Sequence, residues 1–261
     1  MVFDPVASEP LDPFQAAIAS RDRDIPGMVR RALLEGRTQL AFQPVARAGA
    51  NPGIAFFEGL IRVLDEGGRI LPAGQFLPDV EESELGRDLD CASLQHGIAT
   101  LRRNPRARLA INMSARSIAD GRWRQILAEG LQASDIGSRL ILEITEQSAM
   151  LIPEVVIRFM AEVQPKGVAF ALDDFGAGLT AFRYLKDFFF DLAKVDRHFV
   201  TEIQDSPDNQ VLTEALITVA HQFEMFVVAE GVESEAEAAM VTQLGVDCLQ
   251  GYYIGRPSAT L

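Results

Sequence analysis

Residues 39–64 read QLAFQPVARAGANPGIAFFEGLIRVL. Two apolar runs, 39–44 and 54–64, read as strands, and the segment between them holds two glycines and a proline. A parallel crossover needs about a dozen residues or more, so these two strands are expected to be antiparallel. Further along, short apolar runs alternate with helical patterns. Strands are expected at 108–113, 140–144, 168–173, 191–195, 226–229 and 247–250. Helices are expected over 74–102, 115–132, 153–164, 180–188, 208–223 and 233–244. Such alternation favours an α/β fold with a mainly parallel sheet. The expected architecture is a TIM-like (β/α)8 barrel, typically ~250 residues, with its first strand antiparallel.

Ahead of this run, residues 1–24 are rich in proline and charge and read as a flexible leader. Pro26 then opens a helix that Gly36 ends. One barrel domain is expected over 25–261. The roughly 36 residues ahead of the first strand are expected to be too short for a sensory domain, so regulation is expected from dimerisation, a separate partner or parts of a longer protein.

The 261 residues are 48% hydrophobic, enough for a sizeable core. A formal charge of −13 argues against a basic surface that grips a nucleic-acid polymer. It does not exclude a small phosphorylated ligand, because bound metals invert the local field. Cys91 and Cys248 lie far apart in no metal-like spacing and read as buried reduced thiols. The N-terminus lacks the order of a signal peptide, and no apolar run approaches the ~20 residues that span a bilayer. A cytoplasmic location is the expectation. His96, His198 and His221 read as ordinary surface or core histidines. Phe188, Phe189 and Phe190 cannot all point inward, so one is free to meet a partner chain.

Polar residues lie at or near the ends of the expected strands: Asn112, Glu143, Asp173 with Asp174, Lys194 with Asp196, Glu230 and Gln250. Glu58 stands within its run. Several of the steps between them match one strand-plus-helix unit, and carboxyl ends of barrel strands share one pocket. The acidic members repel one another unless cations hold them together. An oxygen-rich set (Glu58, Asn112, Glu143, Asp173, Asp174) suits Mg²⁺ or Mn²⁺ over zinc or copper. Adjacent Asp173 and Asp174 could both face inward only if the strand ends there. Together they could share a metal pair of the kind that serves phosphoryl transfer. Lys194 could add positive charge near a water or phosphate, and Glu230 could take a proton or orient the water. Read alone, Glu143 and Glu146 could equally be a strand-end carboxylate and a helix cap, and Lys194 a snorkelling surface lysine. The Asp-Phe-Gly at 174–176 is not accompanied by the glycine-rich loop and His-Arg-Asp of a protein kinase.

In this order, Phe42-Gln43-Pro44, Glu58-Gly59-Leu60-Ile61-Arg62, Asn112-Met113-Ser114, Glu143-Ile144-Thr145-Glu146, Asp173-Asp174-Phe175-Gly176, Lys194-Val195-Asp196, Ala229-Glu230-Gly231-Val232-Glu233 and Gln250-Gly251-Tyr252 resemble the EAL domain. This is the cyclic di-GMP phosphodiesterase family of bacteria. The resemblance implies a barrel with a reversed first strand that hydrolyses cyclic di-GMP to the linear dinucleotide pGpG. It implies that Glu58, Asn112, Glu143 and Asp173 hold one Mg²⁺ or Mn²⁺, and that Asp173 and Asp174 reach a second. Ca²⁺ would fill the site without turnover. Lys194 and Glu230 would act on the water, with Asp196 nearby. Gln43, Leu60, Arg62 and Gln250 would bind substrate, and Glu146 would anchor the loop after Asp174. That loop and the following helix would form a homodimer. A receptor that binds cyclic di-GMP without cutting it is the alternative. Two features depart from the family pattern. Gly59 replaces alanine and should mainly loosen its strand, and the loop at 177–181 is poorer in hydroxyls.

Overall fold

A computed structural model describes residues 24–49, 52–71, 73–132, 135–178 and 182–261. The leader expected over 1–24 lies outside them except for Asp24. In chain order the main elements are α1 (Ile25–Leu34), β1 (Thr38–Arg47), β2 (Ile54–Leu64), β3 (Ile70–Leu71), α2 (Ala73–Val80), α3 (Glu84–Arg103) and β4 (Leu109–Asn112). There follow α4 (Gly121–Gly130), β5 (Leu140–Thr145), α5 (Glu146–Leu151), α6 (Pro153–Val163), β6 (Ala169–Phe175) and α7 (Phe182–Leu185). The rest are β7 (Leu192–Val195), α8 (Arg197–Val200), α9 (Pro207–Gln222), β8 (Phe226–Ala229), α10 (Glu235–Leu244) and β9 (Cys248–Gln250).

Among the described residues, nine strands form one sheet in the order β1-β9-β8-β7-β6-β5-β4-β2-β3, and pairing of β1 with β2 closes it. Strand β1 runs antiparallel to β2 and β9, while the other barrel pairings are parallel. Eight strands thus make a TIM-like barrel whose first strand is reversed, with β3 a two-residue addition to the rim of β2. The short connection at 48–53 forces this reversal.

Period-two alternation splits each strand between two environments. Val45, Phe56, Ala110, Ile141, Ala171, Leu192, Val228 and Cys248, one from each barrel strand, pack together inside. Their neighbours, such as Ile111, Leu142, Leu172 and Ala193, face outward into the core beneath the helices.

Several helices differ from expectation. The helix expected over 74–102 is two. Ser83 stops α2 and caps α3, its Oγ donating to the Val80 carbonyl at 2.7 Å and accepting from the Leu85 N–H at 3.1 Å. The helix expected over 115–132 divides at Asp120, whose Oδ1 accepts from the N–H groups of Arg122 and Trp123. Thr145 caps the unforeseen α5. Phe188 and Phe190 are buried and Phe189 is exposed, as steric alternation requires. No helix among the described residues is long and apolar enough to cross a membrane.

Candidate functional site

Two positions beyond each member of the inner apolar cluster, toward the carboxyl ends of the parallel strands, stands a polar residue. Phe56 leads to Glu58, Ala110 to Asn112, Ile141 to Glu143, Ala171 to Asp173, Leu192 to Lys194, Val228 to Glu230 and Cys248 to Gln250. On reversed β1 the same step runs backward, from Val45 to Gln43. The site is therefore the next storey of the barrel interior. Glu58 stands within its run because β2 continues to Leu64, which carries Leu60 and Arg62 up the same wall.

Lys194 occupies the centre and is 1% exposed. Its Nζ lies 2.6 Å from Glu230 Oε1, 3.1 Å from Asp173 Oδ1, 3.2 Å from Glu143 Oε2 and 3.3 Å from Glu58 Oε2. Glu58 is further held by Gln250 Nε2, which donates to Oε2 at 2.5 Å, and by Asn112 Nδ2, which donates to Oε1 at 2.7 Å. Gln250 Nε2 also approaches Gln43 Oε1 at 3.5 Å, and Gln43 Nε2 donates to the Gly255 carbonyl at 3.2 Å.

Asp173 and Asp174 correct the sequence reading. Strand β6 does not end at them but runs to Phe175. The β6–β7 register shifts between Leu172 and Phe175, and Asp174 takes a left-handed conformation with φ +55°. This irregularity turns two consecutive carboxylates toward one space, in a backbone region that Asp tolerates better than most residues. Asp173, Asp174 and Glu230 each place an oxygen within 4.8 Å of the others.

One ammonium faces four carboxylates, and the electrostatics record the imbalance. Burial pushes Glu143 well above the usual carboxylate range; Lys194 opposes this, while Glu58, Asp173 and Glu230 add to it. Burial likewise lifts Glu230 to about 8, against the pull of Lys194. Asp174 is raised to about 6 by burial, then by Asp173 and Asp196. Burial also penalises Glu58, but Lys194 and the donors from Gln250 and Asn112 outweigh it and lower its pKa. Burial opposes charge on Lys194, yet its carboxylate partners hold it well above the usual lysine range. Glu143 Oε1 and Gln250 Oε1 are buried without a hydrogen-bond donor. Surplus negative charge and orphaned oxygen acceptors fit hard divalent cations.

A cavity of about 500 Å³ opens beside this cluster, lined on the strand side by Glu58, Leu60, Arg62, Asn112 and Asp174. Among the sequence-predicted residues, Glu146 stands apart. It is buried, and its Oε2 accepts the Gly176 N–H at 3.1 Å, on the loop after Asp174. Residues 179–181 of that loop lie outside the described residues. Asp196 is buried and caps α8.

Two acids escaped the sequence reading. Asp90 of α3 lines the cavity, and its Oδ2 accepts the Ser114 N–H at 2.8 Å and the Ser117 hydroxyl at 2.6 Å. Burial lifts it to about 6. No spacing rule links it to Asn112, since helix docking alone joins them. Glu237 accepts the N–H groups of Glu202, Glu233 and Ser234, tying the loops after β7 and β8 together. Its signal was readable, because Ser234 and Glu237 form a capping box.

A closed eight-stranded barrel with one reversed strand and an acidic storey at its carboxyl-end mouth defines the class. The EAL domain family model matches residues 27–257, and the chain belongs to that family. It is 31% identical over 239 residues to the bifunctional diguanylate cyclase/cyclic di-GMP phosphodiesterase MucR of Pseudomonas aeruginosa, covering 88% of this chain and 34% of that protein. It is 30% identical over 234 residues to the cyclic di-GMP phosphodiesterase PdeF of Escherichia coli, covering 88% and 31%. The chain thus spans about a third of the length of these curated relatives. Among solved structures, the PaMucR phosphodiesterase in complex with c-di-GMP superposes with a TM-score of 0.78 at 29% identity, covering 90% of this chain and 97% of that one. The FimX EAL domain of Pseudomonas aeruginosa bound to c-di-GMP gives 0.82 at 25% identity, covering 91% and 97%.

Proposed function

We propose that this chain is a metal-dependent phosphodiesterase that hydrolyses cyclic di-GMP to linear pGpG. The observation that carries the reading is the acidic storey itself, in which four carboxylates share one lysine and buried acceptors lack donors. The relatives' names supply the substrate.

In this reading Glu58, Asn112, Glu143 and Asp173 hold one Mg²⁺ or Mn²⁺, and Asp173 and Asp174 reach a second. When bound, such a pair supplies Lewis acidity and charge neutralisation for phosphodiester hydrolysis. Glu230 orients the attacking water and takes its proton. Lys194 fixes the Glu230 carboxylate at 2.6 Å and offers positive charge to the phosphate. Asp196 stands beside the water. Arg62 and Leu60 continue the wall above Glu58 and receive the dinucleotide, with Gln43 and Gln250 closing the far side. Glu146 steadies the loop after Asp174, and that loop with α7 forms a homodimer contact. Ca²⁺ occupies the site without supporting turnover. The reading includes a cytoplasmic location and one folded unit over residues 25–261.

The test is incubation of pure protein with cyclic di-GMP and Mg²⁺ or Mn²⁺. Linear product is expected, and Glu58→Ala or Glu230→Ala should abolish it. No product with either metal overturns the proposal, and tight binding without turnover would instead mark a receptor.

A further inference from the structure

After β9 the chain returns to β1 as a strap over residues 251–258. The strap is stitched down at both ends. Near β9, the Tyr253 N–H donates to the Val232 carbonyl at 3.0 Å, two residues after Glu230. At the far end, the Phe42 N–H donates to the Ser258 carbonyl at 2.7 Å, and the Ser258 N–H donates to the Phe42 carbonyl at 3.0 Å. Between these stitches Gly255 lies so close to β1 that a Cβ there would stand 2.6 Å from Cγ of Pro44. The Gly255 carbonyl accepts Nε2 of Gln43 at 3.2 Å.

From Gly255 a line of amides leads into the acidic storey. Gln43 Oε1 faces Gln250 Nε2 at 3.5 Å, and the same Nε2 donates to Glu58 Oε2 at 2.5 Å. Both ends of this line can only accept, a backbone carbonyl at one and a carboxylate at the other. An amide reversed at Gln43 would set its oxygen against the Gly255 carbonyl and its nitrogen against that of Gln250. An amide reversed at Gln250 would set its oxygen against those of Glu58 and Gln43. One orientation of each glutamine therefore satisfies the line, and at Gln43 the strap selects it. Gln250 leaves its own Oε1 buried without a donor, so its two acceptor neighbours set its orientation.

We infer that the strap is a positioning element of the cation site: the Gly255 carbonyl orients Gln43, Gln43 orients Gln250, and Gln250 holds Glu58 ready to take a cation. The inference rests on the metal reading given above. Fixed outer partners hold a ligating carboxylate in its binding posture, which strengthens its grip on a metal. Gln43 and Gln250 thus serve Glu58 as well as the dinucleotide. Sequence reading misses the connection because Gly255 stands 212 residues from Gln43 and contributes a carbonyl that every residue type possesses.

Calorimetric titration of Mn²⁺ tests this without turnover. Gly255→Ala pushes the strap away from Pro44 and should weaken Mn²⁺ binding about tenfold, the low end of what the partners of metal ligands contribute. Pro44→Ala removes the atoms in the way, so Gly255→Ala combined with Pro44→Ala should bind as tightly as Pro44→Ala alone. Gln43→Met keeps the length of the side chain, removes both polar atoms and leaves the backbone stitches in place; it should cost the same factor. Adding Gly255→Ala to Gln43→Met should cost nothing further, because both break one path. Undiminished affinity in Gln43→Met overturns the inference even where Gly255→Ala fails to fold. Undiminished affinity in Gly255→Ala, a loss that Pro44→Ala does not relieve, or additive losses with Gln43→Met also overturn it, and each leaves the metal reading standing as long as the wild type binds Mn²⁺. Wild-type protein that binds no Mn²⁺ overturns both.

Discussion

A Cβ on Gly59 would stand 2.8 Å from Cδ1 of Ile111. A Cβ on Gly97 of α3 would stand equally close, so the isoleucine lies between two glycines. The glycine in Glu58-Gly59-Leu60 therefore makes room for a larger neighbour, and the expectation that it mainly loosens the strand is corrected.

This contact predicts compensation. Gly59→Ala overpacks the site and should cost about 1–3 kcal/mol. Ile111→Val removes the methyl in the way, so the double variant should recover much of that loss. Urea unfolding of the four proteins measures it; simply additive costs would contradict the packing argument.

Lys194 is the ammonium that faces Glu58, Glu143, Asp173 and Glu230. Lys194→Met should end turnover and destabilise the metal-free protein by about 3–5 kcal/mol, because buried carboxylates lose their counter-charge. Mg²⁺ or Mn²⁺ should then raise the melting temperature more in the variant than in the wild type. Equal rises would mean that the cations bind elsewhere.

Stability of the metal-free protein should fall as pH rises. Glu143, Glu230 (about 8), Asp174 (about 6) and Asp90 (about 6) all sit above their unfolded values. The folded state thus binds more protons than the unfolded state between the ordinary carboxylate range and these raised values, and proton release weakens it there. Glu58, lowered instead, contributes stability that is lost only on acidification. Melting temperatures in chelator should decline from about pH 5 to about pH 8, and saturating Mn²⁺ should flatten the slope. A flat or rising curve in chelator would refute the charge imbalance.

Asp90 ties α3 to the loop after Asn112 through Ser114 and Ser117. Asp90→Asn retains an acceptor for both donors and should be neutral or stabilising at pH 8, where the wild-type carboxylate is ionised. Asp90→Ala removes the acceptor of both donors, costs about 1–3 kcal/mol and should weaken cation binding by loosening Asn112. Calorimetric titration of Mn²⁺ into both variants separates these outcomes, and equal behaviour would remove Asp90 from the positioning of the site.

Local chemistry made much of this molecule legible in its chain. A connection at 46–53 too short for a crossover reversed the first strand, and polar residues at the ends of apolar runs marked Asn112, Glu143, Asp173, Lys194, Glu230 and Gln250. Both signals arise from period and length, which neighbouring residues settle among themselves. Other features needed the closed barrel. The shared storey of Gln43, Glu58 and Gln250 depends on strand register, and register belongs to pairs of strands. The inward turn of both Asp173 and Asp174 depends on a bulge against β7. The placing of Lys194 among four carboxylates and of Ile111 between Gly59 and Gly97 depends on packing between segments distant in sequence, where no periodicity carries the information.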